Sequence, residues 1–179
     1  KDVGRADDRV KPYSWSLSQI IEQGLFRFLF SEDDLDDANF GGLVGEVEDW
    51  LTDGTPEARK LRTTDSAPQT FEKLLDWFRD NRDKMFMDFV PATKGKFFRR
   101  LKYIVQEGDG VLRRTEAEGR PLMLPSSGED HPIVIDLYGL RLTPSLQRFV
   151  VAAVFHQLVR NRSGHTTRGL RYLVTLDEL

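Results

Sequence analysis

The sequence predicts an α/β fold in which a mainly helical part is followed by a parallel β–α–β unit. Two short apolar runs, at 133–137 and 172–176, have the composition of strands that are buried on both faces of a sheet. Between them, Thr143 and Pro144 precede a long apolar stripe, and proline suits the first position of a helix. A strand, a helix and a second strand in this order predict a parallel sheet with a right-handed crossover.

Helical periodicity dominates the residues before that unit. Ser16 and Gln19 form a capping-box pattern, and an apolar stripe at helical spacing follows as far as Leu29. Further helices are predicted from about residue 43, from Pro68 and from about Thr93, each with apolar residues at helical spacing. The predicted parts are a polar arm at 1–14, a helical domain at 15–124 and the β–α–β part at 125–179.

The composition excludes several classes of protein. Hydrophobic residues make up 39% of the chain and charged residues 31%, which is typical of a globular protein. The chain has no cysteine, which excludes disulfides, cysteine-bound zinc and thiol catalysis. No apolar run is long enough to span a membrane, and no signal peptide is recognisable. We therefore expect a cytoplasmic protein.

The net charge of −3 conceals an uneven distribution of charge along the chain. Residues 31–57 contain ten acidic residues and no lysine or arginine, whereas residues 137–176 contain six arginines and no acid. Such sorting can make one surface attractive to nucleotides or nucleic acid, and it can equally reflect solvated faces that happen to differ. Within the acidic segment, residues 32–37 are predicted to form a solvated turn rather than a metal site, because their spacing is not that of a calcium-binding loop.

Three acids lie where the predicted strands end, namely Asp136, Asp177 and Glu178. Ligands of open parallel sheets bind beyond the carboxyl ends of the strands. An apolar strand that runs into two acids is the Walker B pattern of nucleotide hydrolases, in which the first acid helps to hold magnesium and the second activates water. The alternative is that these acids only cap the loops that follow. The phosphate-binding loop G-x-x-x-x-G-K-[ST] does not occur in the chain.

Two sets of basic residues are further candidates. Arginines at the end of the long helix could reach a nucleotide on a neighbouring subunit, or they could cap the helix: Arg160, Arg162 and Arg168. Basic residues on one face of the helix near Thr93 could contact DNA phosphates, or they could form a solvated face: Lys94, Lys96, Arg99, Arg100 and Lys102. The three histidines show no metal-ligand spacing.

The C-terminal residues resemble the HerA branch of the HerA/FtsK superfamily. The resemblance lies in the run 133–140 (IVIDLYGL), the following QRFVV at 147–151 and the final LDE at 176–178, with a weaker match at 97–105 (FFRRLKYIV). It implies a partial RecA-like P-loop NTPase core that carries a helical insertion. It also implies ATP, magnesium, a hexameric ring, movement along double-stranded DNA and a possible nuclease partner, in DNA repair or anti-phage defence.

By the same resemblance, Asp177 would assist magnesium through water, Asp136 would lie beside the cofactor and Glu178 would activate water. Because the phosphate-binding loop is missing and both ends look cut, we expect the chain to be a fragment whose loop lies upstream, inactive by itself. One alternative is a non-catalytic helical protein-interaction module with a degenerate ATPase half, in which residues 31–57 would dock a basic partner. Another is a nucleic-acid-binding domain that uses the arginine-rich end.

Overall fold

The computed structural model describes residues 13–52, 68–115 and 134–162, and these residues form a helical fold. The helices lie in the following order: α1 (Leu17–Glu22), the 3₁₀ helix η1 (Phe26–Leu29), α2 (Glu32–Asp36), α3 (Ala38–Thr52), α4 (Phe71–Asn81), α5 (Pro91–Glu107), the 3₁₀ helix η2 (Tyr138–Leu140) and α6 (Pro144–Arg162).

The first helix begins as predicted and ends earlier than its apolar stripe. Ser16 Oγ accepts a hydrogen bond from the Gln19 amide at 3.3 Å, and the Gln19 side chain accepts one from the Ser16 amide at 3.0 Å, so the capping box is confirmed. α1 stops at Glu22, and Gly24 follows at a φ of +63°, a conformation that glycine adopts without a steric penalty. The stripe then continues in η1, because the chain turns at this glycine.

Side-chain caps also set the starts of the next helices. Ser31 Oγ accepts from the Asp34 amide at 3.2 Å, so residues predicted to form an acidic turn form the short helix α2. The carboxylate of Asp37 accepts from the Asn39 and Phe40 amides at the start of α3. Thr70 caps α4 by accepting from the Lys73 amide at 3.3 Å. α4 therefore begins three residues later than Pro68, where the sequence placed its first turn.

Phenylalanine side chains form the centre of the core. The rings of Phe30 and Phe97 have centroids 5.5 Å apart, and those of Phe78 and Phe97 lie 4.8 Å apart. Phe40 adds a ring 5.5 Å from that of Phe30, in an edge-on orientation. All four rings are fully buried, and each such side chain contributes roughly 2–3 kcal/mol through burial. These contacts fasten η1, α3, α4 and α5 together.

The first described residues pair with the chain beyond α5, and α6 packs against the same region. The Trp15 amide donates to the Val111 carbonyl at 2.8 Å, and the Arg113 amide donates to the Trp15 carbonyl at 2.8 Å. The Trp15 ring lies edge-on to Phe149 of α6, with centroids 5.3 Å apart. Arg148 donates to the Phe30 carbonyl at 2.9 Å, which attaches α6 to η1. The three described segments therefore share one core.

The predicted β–α–β unit is wrong for the described residues. Residues 134–137 form no strand, although the run 133–137 was predicted to be one; 172–176 lies outside the described residues. Isolated bridges such as Trp15 to Leu112 occur in the described segments, but none extends into a strand. The physical reason lies at Asp136, whose carboxylate accepts from the Tyr138 amide at 2.8 Å and turns the chain into η2. The parallel α/β fold, and with it the RecA-like core that the resemblance implied, is thus replaced by an all-helical arrangement in the part that the structure describes. The helix predicted from Pro144, by contrast, is confirmed.

Candidate functional site

Lys94 does not lie on an exposed basic face of α5. The side chain is only 5% exposed, and its ammonium donates to the Arg82 carbonyl at 2.7 Å and the Met85 carbonyl at 3.3 Å. These carbonyls belong to the last turn of α4 and to the loop that follows, where a cation complements the helix dipole. Lys94 therefore joins two helices and has no access to a phosphate in this conformation.

Lys96 and Arg100 point to a buried acid. Lys96 Nζ lies 3.0 Å from Asp34 Oδ1, and Arg100 Nε lies 3.0 Å from Asp34 Oδ2. The side chain of Asp34 is only 8% exposed, so one carboxylate receives both cations in a partly dry environment. The hydrogen bond to Asp34 raises the pKa of Lys96, and the Lys96 ammonium also lies 4.7 Å from the centre of the Phe40 ring. This cluster is mainly a link between α2 and α5.

Asp37 is a second acceptor at the same junction. Lys96 Nζ lies 3.4 Å from Asp37 Oδ2. The Phe40 amide, which donates to the Asp37 carboxylate, lowers the pKa of that acid, and Lys96 lowers it further. Asp37 therefore combines a helix cap with an exposed ion pair.

Arg99 and Lys102 are the two predicted DNA-contacting residues that keep exposed side chains without an ion pair in the described segments. Lys102 lines a shallow cleft of about 150 Å³ between α4 and α5, together with Arg79 and Arg114. Glu72 and Asp76 line the same cleft, so its charge is mixed. Its volume is below the roughly 300–1,000 Å³ of ordinary small-molecule sites.

The predicted acidic site is not assembled in the described residues. Asp136 is exposed, and one of its carboxylate oxygens already accepts from the Tyr138 amide. Asp177 and Glu178 lie outside the described residues. Across 13–52, 68–115 and 134–162, no group of three or more histidine or acidic side chains is arranged to hold a metal ion.

Of the three arginines predicted to act on a neighbouring subunit, two lie in the described part of α6. Arg160 is exposed near the end of α6. Arg162 is the last residue of α6, and its side chain is not among those described. Arg168 lies outside the described residues. Arg160 and Arg162 therefore both lie in the last turn of α6.

The α4–α5 loop carries a feature that the sequence analysis missed. Five of the six residues at 85–90 (MFMDFV) are apolar, and Met87 is 82% exposed. Phe86 has a φ of +55°, which a non-glycine residue adopts rarely. Near this loop, burial raises the pKa of Glu46 on α3, and the charges of Asp88 and Asp49 raise it further. The run of apolar residues after α4 was the available signal, although its exposure depends on the tertiary fold.

No protein-family model, no curated protein and no solved structure matches the chain. Among the described helices, none is both long and apolar enough to cross a membrane.

Proposed function

We propose that this chain is part of an ATP-dependent DNA translocase, with Asp177 and Glu178 serving ATP hydrolysis in the whole protein. The observation that carries the proposal is an order along the chain: the long helix α6, then the apolar run 172–176, then the two acids. The resemblance to the HerA branch gives these acids their roles, with magnesium assigned to Asp177 and water activation to Glu178. A hexameric ring around double-stranded DNA, a nuclease partner and a cytoplasmic location belong to the same proposal.

In this proposal the described helices, called the helical body below, are attached to the part of the protein that hydrolyses ATP. They do not bind the nucleotide themselves. Two features support that division. The cleft between α4 and α5, with a volume of about 150 Å³ and a lining of mixed charge, is too small for ATP. α6 is fastened to the helical body by Arg148, which contacts the Phe30 carbonyl and, at 3.0 Å, the carboxylate of Glu32. Because Arg148 joins α6 to η1 and α2, a movement of the chain beyond α6 would therefore displace these helices as well.

Arg99 and Lys102 are the side chains of α5 that we assign to DNA. Lys94 is buried, and Lys96 and Arg100 are paired with Asp34, so these two keep the exposed charge that phosphate binding needs.

The test of the proposal is ATP hydrolysis by the whole protein, with and without duplex DNA, in the wild type and in Glu178→Gln. We expect DNA-stimulated hydrolysis that the substitution abolishes while nucleotide binding persists. Glu107→Gln, at the exposed end of α5, removes the same charge and should leave hydrolysis unchanged. Equal hydrolysis in wild type and Glu178→Gln would refute the assignment.

The DNA contacts have a separate test. Arg99→Ala combined with Lys102→Ala should weaken the binding of duplex DNA at low salt. The variant should also reduce the slope of the logarithm of the binding constant against the logarithm of the salt concentration by about 2, since each phosphate contact contributes about 0.9. Lys73→Ala combined with Lys84→Ala removes the same charge from exposed positions outside α5 and should change the slope little. An unchanged slope in the α5 variant would remove α5 from the DNA interface.

A further inference from the structure

The loop between α4 and α5 presents apolar side chains to solvent. In the run 85–90, Met87 is 82% exposed and Val90 is 59% exposed, and the other three apolar side chains are only partly buried. Single exposed apolar residues are common on protein surfaces, whereas a contiguous group marks a site of interaction. This loop, called the 85–90 loop below, is therefore a candidate binding surface.

The 85–90 loop is held in a defined conformation. The ring of Phe86 stacks near Phe78, with centroids 6.0 Å apart, and lies edge-on to Trp77 at 6.4 Å. The Phe89 amide donates to the Phe86 carbonyl at 3.1 Å, and the buried Lys94 ammonium holds the Met85 carbonyl. The left-handed backbone of Phe86 costs about 1–2 kcal/mol, which these contacts offset. A partner that bound here would meet a loop that is already ordered, and so would lose less entropy on binding.

Acidic side chains lie beside the loop. The Phe89 ring packs over Gly42 of α3, where an added Cβ would lie 3.4 Å from the ring. Glu46 is one turn further along α3, where burial raises its pKa, as do the charges of Asp88 in the loop and of Asp49. Within the described segments, these three carboxylates form no ion pair.

The nearby cations leave this surface acidic. Lys84 is exposed just before the loop, and Arg82 lies 3.9 Å from the carboxylate of Asp83. Among the described residues beside the loop, Lys84 is therefore the cation without an ion pair, against three carboxylates without one. The surface combines an apolar centre with a negative border.

We propose that the 85–90 loop, together with Glu46, Asp49 and Asp88, binds a basic amphipathic helix of another protein. The apolar stripe of that helix would cover Met87 and Val90, and its lysines or arginines would face the three carboxylates. Methionine suits such a contact, because its flexible and polarisable side chain adapts to different apolar surfaces. A helix with a narrow apolar stripe and basic flanks matches a small apolar centre with an acidic border. This proposal goes beyond ATP hydrolysis and stands without it.

Nucleic acid and anionic membranes are poor candidates for the same surface. Both carry negative charge, which the three carboxylates repel, and the basic residues of α5 that could attract phosphate are paired or lie elsewhere on the helix. Binding to either one is therefore an outcome that contradicts the proposal.

The probe for the test is a fluorescent synthetic peptide of roughly five helical turns, with leucine at helical spacing and lysine elsewhere. A matched peptide carries glutamate in place of lysine. Fluorescence anisotropy, measured at about 0.15 M salt to limit unspecific attraction, should show binding of the lysine peptide and not of the glutamate peptide. Equal binding of the two peptides, or binding of neither, would refute the proposal.

Two variants locate the contact. Met87→Ser combined with Val90→Ser removes the apolar centre without adding charge, and both positions are exposed, so folding should persist. Glu46→Gln combined with Asp49→Asn and Asp88→Asn removes the charge of the border. Each variant should weaken peptide binding by about tenfold or more, which corresponds to about 1.4 kcal/mol.

Two matched controls test whether the loss belongs to this surface. Glu22→Gln with Glu107→Gln and Asp109→Asn removes the same charge at exposed positions, and Glu107 lies about 24 Å along α5 from the loop, given the rise of about 1.5 Å per residue. Tyr103→Ser removes an aromatic side chain of α5 that is 50% exposed, without adding charge. Both should bind the peptide within about twofold of the wild type, which is less than about 0.5 kcal/mol. A control that weakens binding as much as the loop variants, or tighter binding of duplex DNA or anionic vesicles by the loop surface, would overturn the proposal.

Discussion

The ammonium of Lys94 donates to the carbonyl of Arg82 at 2.7 Å, so a residue at the start of α5 satisfies the last turn of α4. A helix leaves its final carbonyls without internal partners, and a buried lysine can bind them while its charge meets the negative end of the helix dipole. The same ammonium reaches the Met85 carbonyl, so it also fixes the beginning of the 85–90 loop.

Lys94→Met should therefore destabilise the fold. The substitution keeps the aliphatic volume and removes the donor, which leaves two carbonyls without their charged partner, and we expect a loss of about 1–3 kcal/mol in the free energy of unfolding. Urea denaturation followed by circular dichroism would measure it. Lys102→Met on the same helix is the control, because Lys102 is exposed. Equal stability of the two variants would mean that the hydrogen bonds of Lys94 contribute nothing.

The carboxylate of Asp34 is expected to matter both for stability and for charge. Asp34→Asn removes the negative charge shared by Lys96 and Arg100, together with one of two acceptor oxygens, from a side chain that is 8% exposed, and such a partly buried network should contribute about 2 kcal/mol. Because Arg100 then loses its ionic partner and Lys96 keeps only Asp37, the affinity of α5 for duplex DNA should rise, with a steeper dependence on salt. Asp36→Asn, at an exposed position of the same helix, is the control for denaturation and DNA binding. A rise in stability on Asp34→Asn would contradict the expectation.

Glu46 gives the fold a predictable dependence on pH. Burial, Asp88 and Asp49 raise its pKa above the ordinary 4.5, so the folded state binds this proton more tightly than the unfolded state does. The charged form is therefore a cost to stability that is fully present above the raised pKa and is relieved as the pH falls through it.

Glu46→Gln should accordingly raise the melting temperature at pH 7. The gain should shrink as the pH is lowered and vanish below about 4.5, the unfolded value, where Glu46 is protonated in both states. Thermal melts of the wild type and the variant between pH 4 and pH 7, with Glu107→Gln as a control, would show this. A gain that stayed constant across the range would have another cause.

Because the backbone at Phe86 is left-handed, a glycine variant should be more stable than an alanine variant at this position, which is the reverse of the usual order. Phe86→Gly and Phe86→Ala both lose the contacts with Trp77 and Phe78, and both should be less stable than the wild type. Between the two, the glycine variant should be the more stable by about 1 kcal/mol, because alanine pays the steric cost of a φ of +55° and glycine does not. The denaturant midpoints of Phe86→Gly and Phe86→Ala would measure this difference. A more stable alanine variant would show that the loop changes conformation when the Phe86 ring is lost.

Local signals in the sequence predicted several helices correctly. Ser16 with Gln19 predicted the capping box of α1, and Pro144 predicted the start of α6. The predicted start near Thr93 lies within two residues of Pro91, where α5 begins. These features depend on contacts within four residues, which the sequence displays directly.

Features that depend on distant residues could not be predicted in this way. The acidic run at 32–37 was expected to be a solvated turn, and Asp34 is instead buried because Lys96 and Arg100 reach it from α5. Likewise, the basic face of α5 was predicted as one surface, but its lysines and arginines divide between internal contacts and solvent. Periodicity shows which side chains share a face and does not show what that face meets.

The strand prediction at 133–137 failed for a related reason. An apolar run is compatible with a strand only where a neighbouring strand pairs with its backbone, and the described residues supply none for 134–137. The carboxylate of Asp136 instead binds the Tyr138 amide and turns the chain. The acids at 177–178 lie outside the described residues, so their predicted role stays a prediction.

The pairing of Trp15 with Val111 and Arg113 has a consequence for how this fold can be used by a larger protein. Because Trp15 pairs with Val111 and Arg113, the chain enters and leaves the helices α1–α5 at adjacent points. The roughly one hundred residues between them therefore have the two ends of an insertion close together. An insertion with adjacent ends can be placed in a single surface loop of another domain, because the residues of that domain on either side of the insertion keep their spacing. Because α6 packs on these helices through Phe149 and Arg148, it belongs with them, and the two ends of α1–α5 keep their spacing when loops between those helices change in length.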